Sequence, residues 1–351
     1  MNLHTEQTFE SAIEQDLLEN GGYAKGDPAN ISRELSLDSG TIIQFLRNSQ
    51  IKEWKKLSEI HGYEVDNKII ARLTKELDLR GSLDVLRHGF TDYGVHFDVA
   101  YFKPESGLNP DSKSLYDSNI LTVYRQVRYS IKNENSLDLV LGINGIPVAT
   151  AELKNPFTGQ TVELAKKQYI ADRDPSELIF RFKKRTLVHF AVDPDEVYMT
   201  TFLNGEKTRF LPFNKGFNNG KGNPPNPDGY RTEYLWKEIW SKDSWLDIIG
   251  RYLHLQTEEI KTDGKVINKE QLIFPRYHQL TCVRKVAADA KENGVGKNYL
   301  IQHSAGSGKS NSIAWLAYRI SSLHNKNDER VFDSVIVITD RRVLDSQLQN
   351  T

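Results

Sequence analysis

One candidate catalytic pattern in the chain comprises two acidic residues and a lysine: Asp138, Glu152 and Lys154. The surrounding sequence, SLDLVLGINGIPVATAELK, predicts a β-hairpin whose strands and turn cover residues 137–142, 147–154 and 143–146. Antiparallel pairing about Asn144-Gly145 sets Asp138 nearly opposite Glu152, and the strand period of two puts Glu152 and Lys154 on one face. We therefore expect two carboxylates and an ammonium group to converge.

Such a group of side chains suits a divalent cation and the hydrolysis of a phosphodiester. Two neighbouring carboxylates favour a bound cation because it offsets their repulsion. The oxygens of Asp138 and Glu152, with the backbone carbonyl of Leu153 as a third ligand, suit Mg²⁺. The metal can lower the pKa of a bound water, while Lys154 orients the nucleophile or counters the developing charge. A cross-strand salt bridge is the alternative interpretation.

A second pattern, IQHSAGSGKS at 301–310, is typical of a phosphate-binding loop between a strand and a helix. Gly306 and Gly308 let successive backbone N–H groups point at phosphate oxygens. Lys309 is then expected to reach the β- and γ-phosphates of ATP, and Ser310 to ligate Mg²⁺. His303 stands where the full pattern has its first glycine, and a Gly/Ser-rich turn before a helix is the alternative. The candidate nucleotide-binding residues of this loop are Gly306, Ser307, Gly308, Lys309 and Ser310.

Composition limits the remaining possibilities. With 38% hydrophobic and 26% charged residues, the chain has the composition of a soluble globular protein. The absence of a membrane-length apolar run and of a secretion signal predicts a cytoplasmic location. The single cysteine, Cys282, excludes an intrachain disulfide and a zinc site of several thiolates. Because the net charge is -1, any DNA contact must come from local basic patches. The alternative interpretation of each patch is an ordinary solvated surface. The candidates are Lys166, Lys167, Arg181, Lys183, Lys184 and Arg185.

The elements that must position these residues fall into regions of different character. Apolar spacing predicts helices in the first ninety or so residues, at 8–20, 39–46, 52–61 and 68–77. β-Branched and aromatic runs predict a sheet over 93–212, followed by an irregular loop at 213–230. Two further helices are expected at 233–240 and 244–255, before a polar linker at 257–268. An alternation of helix and strand then predicts a parallel α/β domain, with elements at 277–290, 298–302, 309–324 and 334–339.

These residues together resemble the restriction (R) subunit of type I restriction-modification enzymes, from about Tyr93 to the end of the chain. Asp138 with Glu152-Leu153-Lys154 resembles the D…E-x-K core of PD-(D/E)xK nucleases. Gln168-Tyr169 and Asp172-Arg173-Asp174-Pro175 resemble the glutamine-containing motif that follows this core. Arg276-Tyr277-His278-Gln279 is similar to the Q-motif of superfamily 2 helicases, and HSAGSGKSNS with ITDRRVLDSQL to helicase motifs I and Ia.

The resemblance adds residues to both candidate sites. It implies that Gln168 belongs to the nuclease site, although Asp172 rather than a tyrosine stands at the fourth position after it. It implies that Gln279 reads the adenine edge of ATP. It also implies a supporting glutamate on the first helix, for which Glu10 and Glu14 are both available.

The resemblance also implies a fold and an activity. The fold class is α/β: a restriction-endonuclease-like α+β domain with a mixed sheet and the N-terminal helical region at 1–256, a linker at 257–268, and the truncated start of a RecA-like domain at 269–351. The implied activity is Mg²⁺-dependent cleavage of double-stranded DNA, coupled in the full-length protein to ATP-driven translocation. The implied partners are the methylation (M) and specificity (S) subunits. No association with a membrane is expected.

Two alternatives and one limit accompany this interpretation. The chain could be an ATP-dependent translocase or DNA-binding module whose nuclease-like hairpin is not catalytic. It could also be a stand-alone nucleotide-binding protein, although the predicted α/β domain lacks most of the strands that this would need. ATP turnover is not expected from these 351 residues alone, because no strand with paired acids follows Ser310.

Overall fold

The computed structural model describes residues 6–104, 109–155, 160–218, 220–262, 265–304 and 306–338. Helices and a seven-stranded mixed sheet make it an α/β protein, which confirms the predicted fold class. The α-helices are α1 (Glu6–Glu19), α2 (Ser39–Ser49), α3 (Ile51–His61), α4 (Val65–Arg80), α5 (Ser82–His88), α6 (Pro110–Asp117), α7 (Val162–Ala171), α8 (Lys242–Asp247), α9 (Tyr277–Asn293) and α10 (Lys309–Ser321). None of the helices in these ranges is long and apolar enough to cross a membrane.

The chain divides into two compact units. The first contains Met1–Phe102 and Leu115–Leu246, and the second contains Lys103–Ser114 and Asp247–Thr351. The strands of the first unit are β1 (Tyr23–Lys25), β2 (Phe90–Asp92), β3 (Val95–Phe97), β4 (Leu121–Arg128), β5 (Ser136–Ile143), β6 (Ile146–Leu153), β7 (Val188–Val192), β8 (Val197–Thr200) and β9 (Leu211–Pro212). The second unit contains β10 (His254–Thr262) and β11 (Lys265–Ile273).

The large sheet has the order β1-β4-β5-β6-β7-β8-β9. It is mixed, because β1 runs parallel to β4 and β6 runs parallel to β7, while the other neighbours are antiparallel. Strands β5 and β6 lie in its centre and are buried along almost their whole length. Burial on both faces explains why their sequences are continuously apolar rather than alternating.

The hairpin β5–β6 forms as predicted. Asn144 and Gly145 both have positive φ angles, 50° and 85°, as a two-residue turn between right-twisted strands requires. The side chain of Asn144 is buried and donates to the carbonyl of Val99 at 2.9 Å. Pairing of Leu139 with Ala151 places Asp138 and Glu152 at adjoining positions of the two strands. The turn and the register shift between Leu141 and Gly142 together set the register that brings the two acids opposite each other.

The helical N-terminal region is also confirmed. The residues that predicted the first helix, Phe9, Ile13 and Leu17, are fully buried on α1. Helices α2, α3 and α4 cover the predicted segments and extend beyond them. In the predicted region 233–255, α8 is flanked by two π-helical turns, Leu235–Ile239 and Ile248–Tyr252.

The structure differs from the sequence interpretation at 257–268. The described residues of this predicted linker belong to the antiparallel hairpin β10–β11, which pairs His254 with Ile273 at its base. The division between the compact units falls earlier, between Leu246 and Asp247. The sequence signal for a hairpin was present, because Asp263-Gly264 is a favoured turn dipeptide between two β-prone runs.

Two predicted strands of the second unit do not form. Residues 298–302 and the described part of 334–339 have no strand structure, although helices α9 and α10 occupy their predicted places. Leu300 and Ile338 are almost fully exposed. A parallel strand is held by hydrogen bonds to neighbouring strands. Among the described residues, no neighbouring strand pairs with these two segments. Thr339 lies outside the described residues.

Candidate active site

Three of the sequence-predicted residues meet where β6 ends. Asp138 on β5 accepts a hydrogen bond from the backbone N–H of Leu153 through Oδ2, at 2.7 Å. The same Oδ2 atom lies 4.0 Å from Nζ of Lys154, and only about a tenth of each side chain is exposed. As expected, Asp138 and Lys154 approach each other, and the strand pairing sets Asp138 beside Glu152; the catalytic role of the three residues stays a prediction.

Glu152 is fully buried and is held by an arginine that was not among the predicted site residues. Arg173 donates to Oε1 of Glu152 through Nε at 2.7 Å and lies 2.6 Å from it through Nη2. Burial raises the pKa of Glu152 well above its ordinary value, and the negative charge of Asp138 raises this pKa further. The positive charge of Arg173 acts in the opposite direction.

The second carboxylate oxygen of Glu152 tests whether the site suits a metal. Oε2 is buried and has no hydrogen-bond partner among the described residues. A buried oxygen without a donor is costly and is satisfied by a proton or a cation. In the described ranges no group of three or more His, Cys, Asp or Glu side chains is placed to hold a metal, and the role of Asp138 and Glu152 as metal ligands stays a prediction. This donor set fits a hard divalent cation that keeps several waters.

Leu153 was expected to supply the third metal ligand through its backbone carbonyl. The contact that Leu153 makes with Asp138 is through its N–H, which orients the carboxylate. The role of its carbonyl as a metal ligand stays a prediction.

Helix α1 supplies a third carboxylate beside the pair. Glu10 accepts hydrogen bonds from Arg125 at 2.8 Å and from Gln126 at 2.7 Å. Burial raises the pKa of Glu10, against hydrogen bonding by Arg125, and the charge of Asp138 adds to the rise. Glu14 instead pairs with Lys25 and Arg125. Of the two glutamates that the sequence left open, Glu10 is the one connected to Asp138.

Helix α7 buries the side chain of Tyr169, and not that of Gln168, in the core of the first unit. Tyr169 is fully buried, and its hydroxyl lies 2.7 Å from Oγ1 of Thr150, which in turn lies 2.8 Å from Nδ1 of His189. Gln168 is half-buried, and no hydrogen bond joins its side chain to the acids in the described part of the chain. The catalytic role of Gln168 therefore stays a prediction.

Sequence reasoning missed two residues of this site, Arg173 and Gln126. Arg173 was quoted only as part of a family motif; the available signal was that a buried carboxylate such as Glu152 needs a cationic partner. Gln126 gave no signal, because its place depends on an unusual backbone angle, φ 52°.

One residue of a predicted basic patch does not reach the surface. Arg185 is fully buried and donates to the carbonyl of Leu35 at 2.8 Å and to Asp78 at 2.9 Å. It therefore serves the packing of the first unit and cannot face DNA. On the other candidate patch, Nζ of Lys166 lies 4.0 Å from the ring centre of Tyr198, while Lys167 is exposed.

The glycine-rich loop lies in the second unit. Gly306 and Gly308 have φ angles of 72° and 80°, which the predicted turn requires, and α10 begins at Lys309. The amide of Gln279 donates to the carbonyls of Ser307 at 3.1 Å and Gly308 at 2.8 Å. Nζ of Lys309 donates to the carbonyl of His303 at 3.2 Å.

Nucleotide binding by this loop stays a prediction. The loop ends at a helix N-terminus, which favours an anion. Gln279 is occupied by the loop backbone, so the structure gives it a role in loop geometry; reading adenine stays a prediction. The hydroxyl of Ser307 is buried and has no partner among the described residues.

Comparison with known proteins agrees with both units. The family described as Type I restriction enzyme R protein N terminus matches residues 4–208, and SWI2/SNF2 ATPase matches residues 278–351. A Putative type I restriction enzyme MjaVIIIP endonuclease subunit from Methanocaldococcus jannaschii is 24% identical over 322 residues, which cover 86% of this chain and 27% of that protein. The chain thus spans well under half of the length of this relative. Because the first of these families matches more than half of the sequence, the chain belongs to the family of type I restriction enzyme R protein N-terminal regions.

Proposed function

We propose that the first unit cleaves double-stranded DNA by Mg²⁺-dependent hydrolysis, as the nuclease of a type I restriction enzyme R subunit. The observation that carries this proposal is the meeting of Asp138, Glu152 and Lys154, with Nζ of Lys154 4.0 Å from Oδ2 of Asp138. Family membership supports it, since the matched region includes all three residues.

The chemistry follows from what each side chain holds. Asp138 and the unpartnered Oε2 of Glu152 would bind Mg²⁺, which acidifies a bound water and stabilises charge on the phosphate. The N–H of Leu153 orients Asp138, and Arg173 orients Glu152. Lys154 places its ammonium group beside Asp138, where it can position the attacking water or offset charge on the phosphate. Gln168 completes the proposed catalytic set.

The second unit is proposed to bind ATP and to belong to a DNA-translocating motor. The similarity of residues 278–351 to SWI2/SNF2 ATPase supports this, as does a glycine-rich loop that ends at a helix N-terminus. In the full-length protein, translocation would bring DNA to the nuclease, in the cytoplasm and in complex with M and S subunits. ATP turnover is not expected from these 351 residues alone.

The nuclease proposal is tested by Lys154→Ala in the full-length subunit, assembled with its partners. We expect ATP-driven translocation to continue and cleavage of plasmid DNA to be lost. Lys237→Ala is a matched control, because Lys237 is half-exposed and, among the described residues, its ion pair is with the nearby Glu233 at 3.0 Å. Undiminished cleavage by Lys154→Ala would contradict the assignment.

The motor proposal is tested by Lys309→Ala in the same complex. We expect translocation and ATP hydrolysis to stop, while Mn²⁺ binding at Asp138 and Glu152 persists. ATP consumption at the wild-type rate would show that the glycine-rich loop does not bind the phosphates.

One observation favours a second candidate function, a non-cleaving DNA-binding or translocase module. Arg173 neutralises Glu152 as a structural ion pair would. Mn²⁺ titration of the chain separates the two: a nuclease should bind Mn²⁺ and lose it in Asp138→Asn, whereas a structural hairpin should bind none.

A further inference from the structure

Gln126 has a strained backbone in the middle of a strand. Its φ angle is 52°, in the left-handed region, and it interrupts the β4–β5 ladder between the pairs Arg125 with Leu139 and Val127 with Leu137. The interruption lies opposite Asp138. A left-handed conformation costs a residue with a Cβ about 1–2 kcal/mol, so other interactions must hold it.

The side chain of Gln126 joins two carboxylates. Its amide nitrogen donates to Oε1 of Glu10 at 2.7 Å and to Oδ1 of Asp138 at 3.3 Å. Its oxygen accepts from the hydroxyl of Ser136 at 2.9 Å. This orientation of the amide follows from chemistry, because ionised carboxylates only accept hydrogen bonds and must face the NH₂ group.

Burial does not explain the strain. Gln126 is exposed, unlike its buried neighbour Val127, so its side chain adds little to the core. The two oxygens of Asp138 are instead fixed from opposite sides, Oδ2 by the N–H of Leu153 and Oδ1 by Gln126. Strained conformations held by polar contacts are concentrated at functional sites.

We propose that Gln126 is a positioning residue of the nuclease site: its amide bridges Glu10 and Asp138 and fixes the carboxylate of Asp138 for the metal. The inference rests on the proposed function. Gln126 touches neither metal nor DNA in this role. It connects helix α1 to the metal ligand and keeps two like charges together before the cation binds.

The test separates the amide from the backbone strain. Gln126→Ala removes the amide and keeps the strain, whereas Gln126→Gly removes the amide and tolerates the left-handed backbone. Gln50→Ala is the matched control: Gln50 is a buried glutamine of the same unit that bonds the backbone of Asp98 at 2.8 Å in both directions. Calorimetric titration with Mn²⁺ and urea unfolding without metal are measured on the whole chain.

We expect both Gln126 variants to bind Mn²⁺ about 10–100-fold more weakly than the wild type, as loss of a residue that orients a metal ligand does. Gln126→Gly should keep the wild-type midpoint of urea unfolding, so its weaker binding cannot come from misfolding. Gln50→Ala should unfold at lower urea and bind Mn²⁺ with wild-type affinity.

The outcomes distinguish this inference from the proposal beneath it. If the wild type binds no Mn²⁺, the nuclease proposal fails and the inference falls with it. If the wild type binds Mn²⁺ and Gln126→Gly binds it equally well, the inference alone is overturned, because the amide then contributes nothing to metal binding. Equal weakening in Gln50→Ala would also overturn it, since the effect would then follow stability.

Discussion

Replacing Arg173 with methionine should expose the energetic problem at the centre of the first unit. The guanidinium is buried, with 4% of the side chain exposed, and it faces a Glu152 side chain with none exposed. Methionine fills similar space without charge. Glu152 would then be a buried carboxylate without its cation.

The contacts set the expected loss. Arg173 donates to Oε1 of Glu152 and, at 2.8 Å, to the carbonyl of Ser136. Removing one partner of a buried ion pair costs about 3–5 kcal/mol in the free energy of unfolding. Two charge-assisted hydrogen bonds of about 1.5–3 kcal/mol each, one to Glu152 and one to the Ser136 carbonyl, give a similar figure. We therefore expect Arg173→Met to lose about 4 kcal/mol at pH 8.

The loss should depend on pH in a definite direction. The pKa of Glu152 is raised above its ordinary value in the folded wild type, and losing Arg173 raises it further. When the pKa of a group is higher in the folded than in the unfolded protein, its contribution to stability is complete at pH values below the unfolded pKa. That contribution is lost as the pH rises through the folded pKa. Arg173→Met should therefore be less destabilised at pH 5, where Glu152 accepts a proton and needs no counter-charge.

Urea unfolding followed by circular dichroism at pH 5 and pH 8 measures this. Arg33→Met is the control, because Arg33 forms an exposed pair with Glu134 at 2.8 Å and should not change the unfolding midpoint. The double variant Arg173→Met with Glu152→Gln should recover part of the loss, since both charges are gone. A loss that is small, or equal at the two pH values, would refute the idea that Glu152 depends on Arg173.

Three further perturbations test other parts of the structure. Burial lowers the pKa of His189 to about 3. Its contribution to stability is therefore complete above the unfolded pKa and is lost as the pH falls towards the folded pKa. At pH 5 the wild type should be destabilised by about 2 kcal/mol through this histidine, and His189→Gln should remove that pH-dependent loss. Gly145→Ala places a Cβ 2.4 Å from the carbonyl oxygen of Asp38 at φ +85°, and should cost about 2–4 kcal/mol in urea unfolding, whereas Gly222→Ala, with open space around it, should cost little. Gly308→Ala places a Cβ 2.4 Å from Nε2 of Gln279 at φ +80°, and should weaken binding of a fluorescent ATP analogue about tenfold; Gly296→Ala, equally strained but without neighbours, should not.

Much of the site could be predicted because local rules determine it. The Asn144-Gly145 turn and the strand period predict that Asp138 lies close to Glu152. The register shift between Leu141 and Gly142 then sets the two residues opposite each other. The apolar spacing of Phe9, Ile13 and Leu17 likewise located α1 and its buried face. In these segments the hydrophobic pattern, the turn chemistry and the tertiary packing agree.

The remainder depended on contacts between distant parts of the chain. Arg173 reaches Glu152 across 21 positions, and Gln126 reaches Glu10 across 116, so no short-range pattern could pair them. The hairpin β10–β11 was missed for another reason: its polar composition resembles that of a linker, and only the Asp263-Gly264 dipeptide indicated a turn. The strands predicted at 298–302 and 334–339 required neighbours that local sequence does not supply.

Departures from ordinary strand geometry and polar satisfaction come together around the two acids. Gln126 carries a left-handed backbone opposite Asp138, and the β5–β6 register shifts between Leu141 and Gly142 on the same strand. Glu152 is buried with one oxygen unpartnered. Each feature costs stability by itself, and a hairpin needed only for packing would gain by replacing the acids with apolar residues. Their concentration on neighbouring strands therefore favours our proposal of a cation site over a structural salt bridge, and Mn²⁺ binding should stabilise the first unit by offsetting these costs.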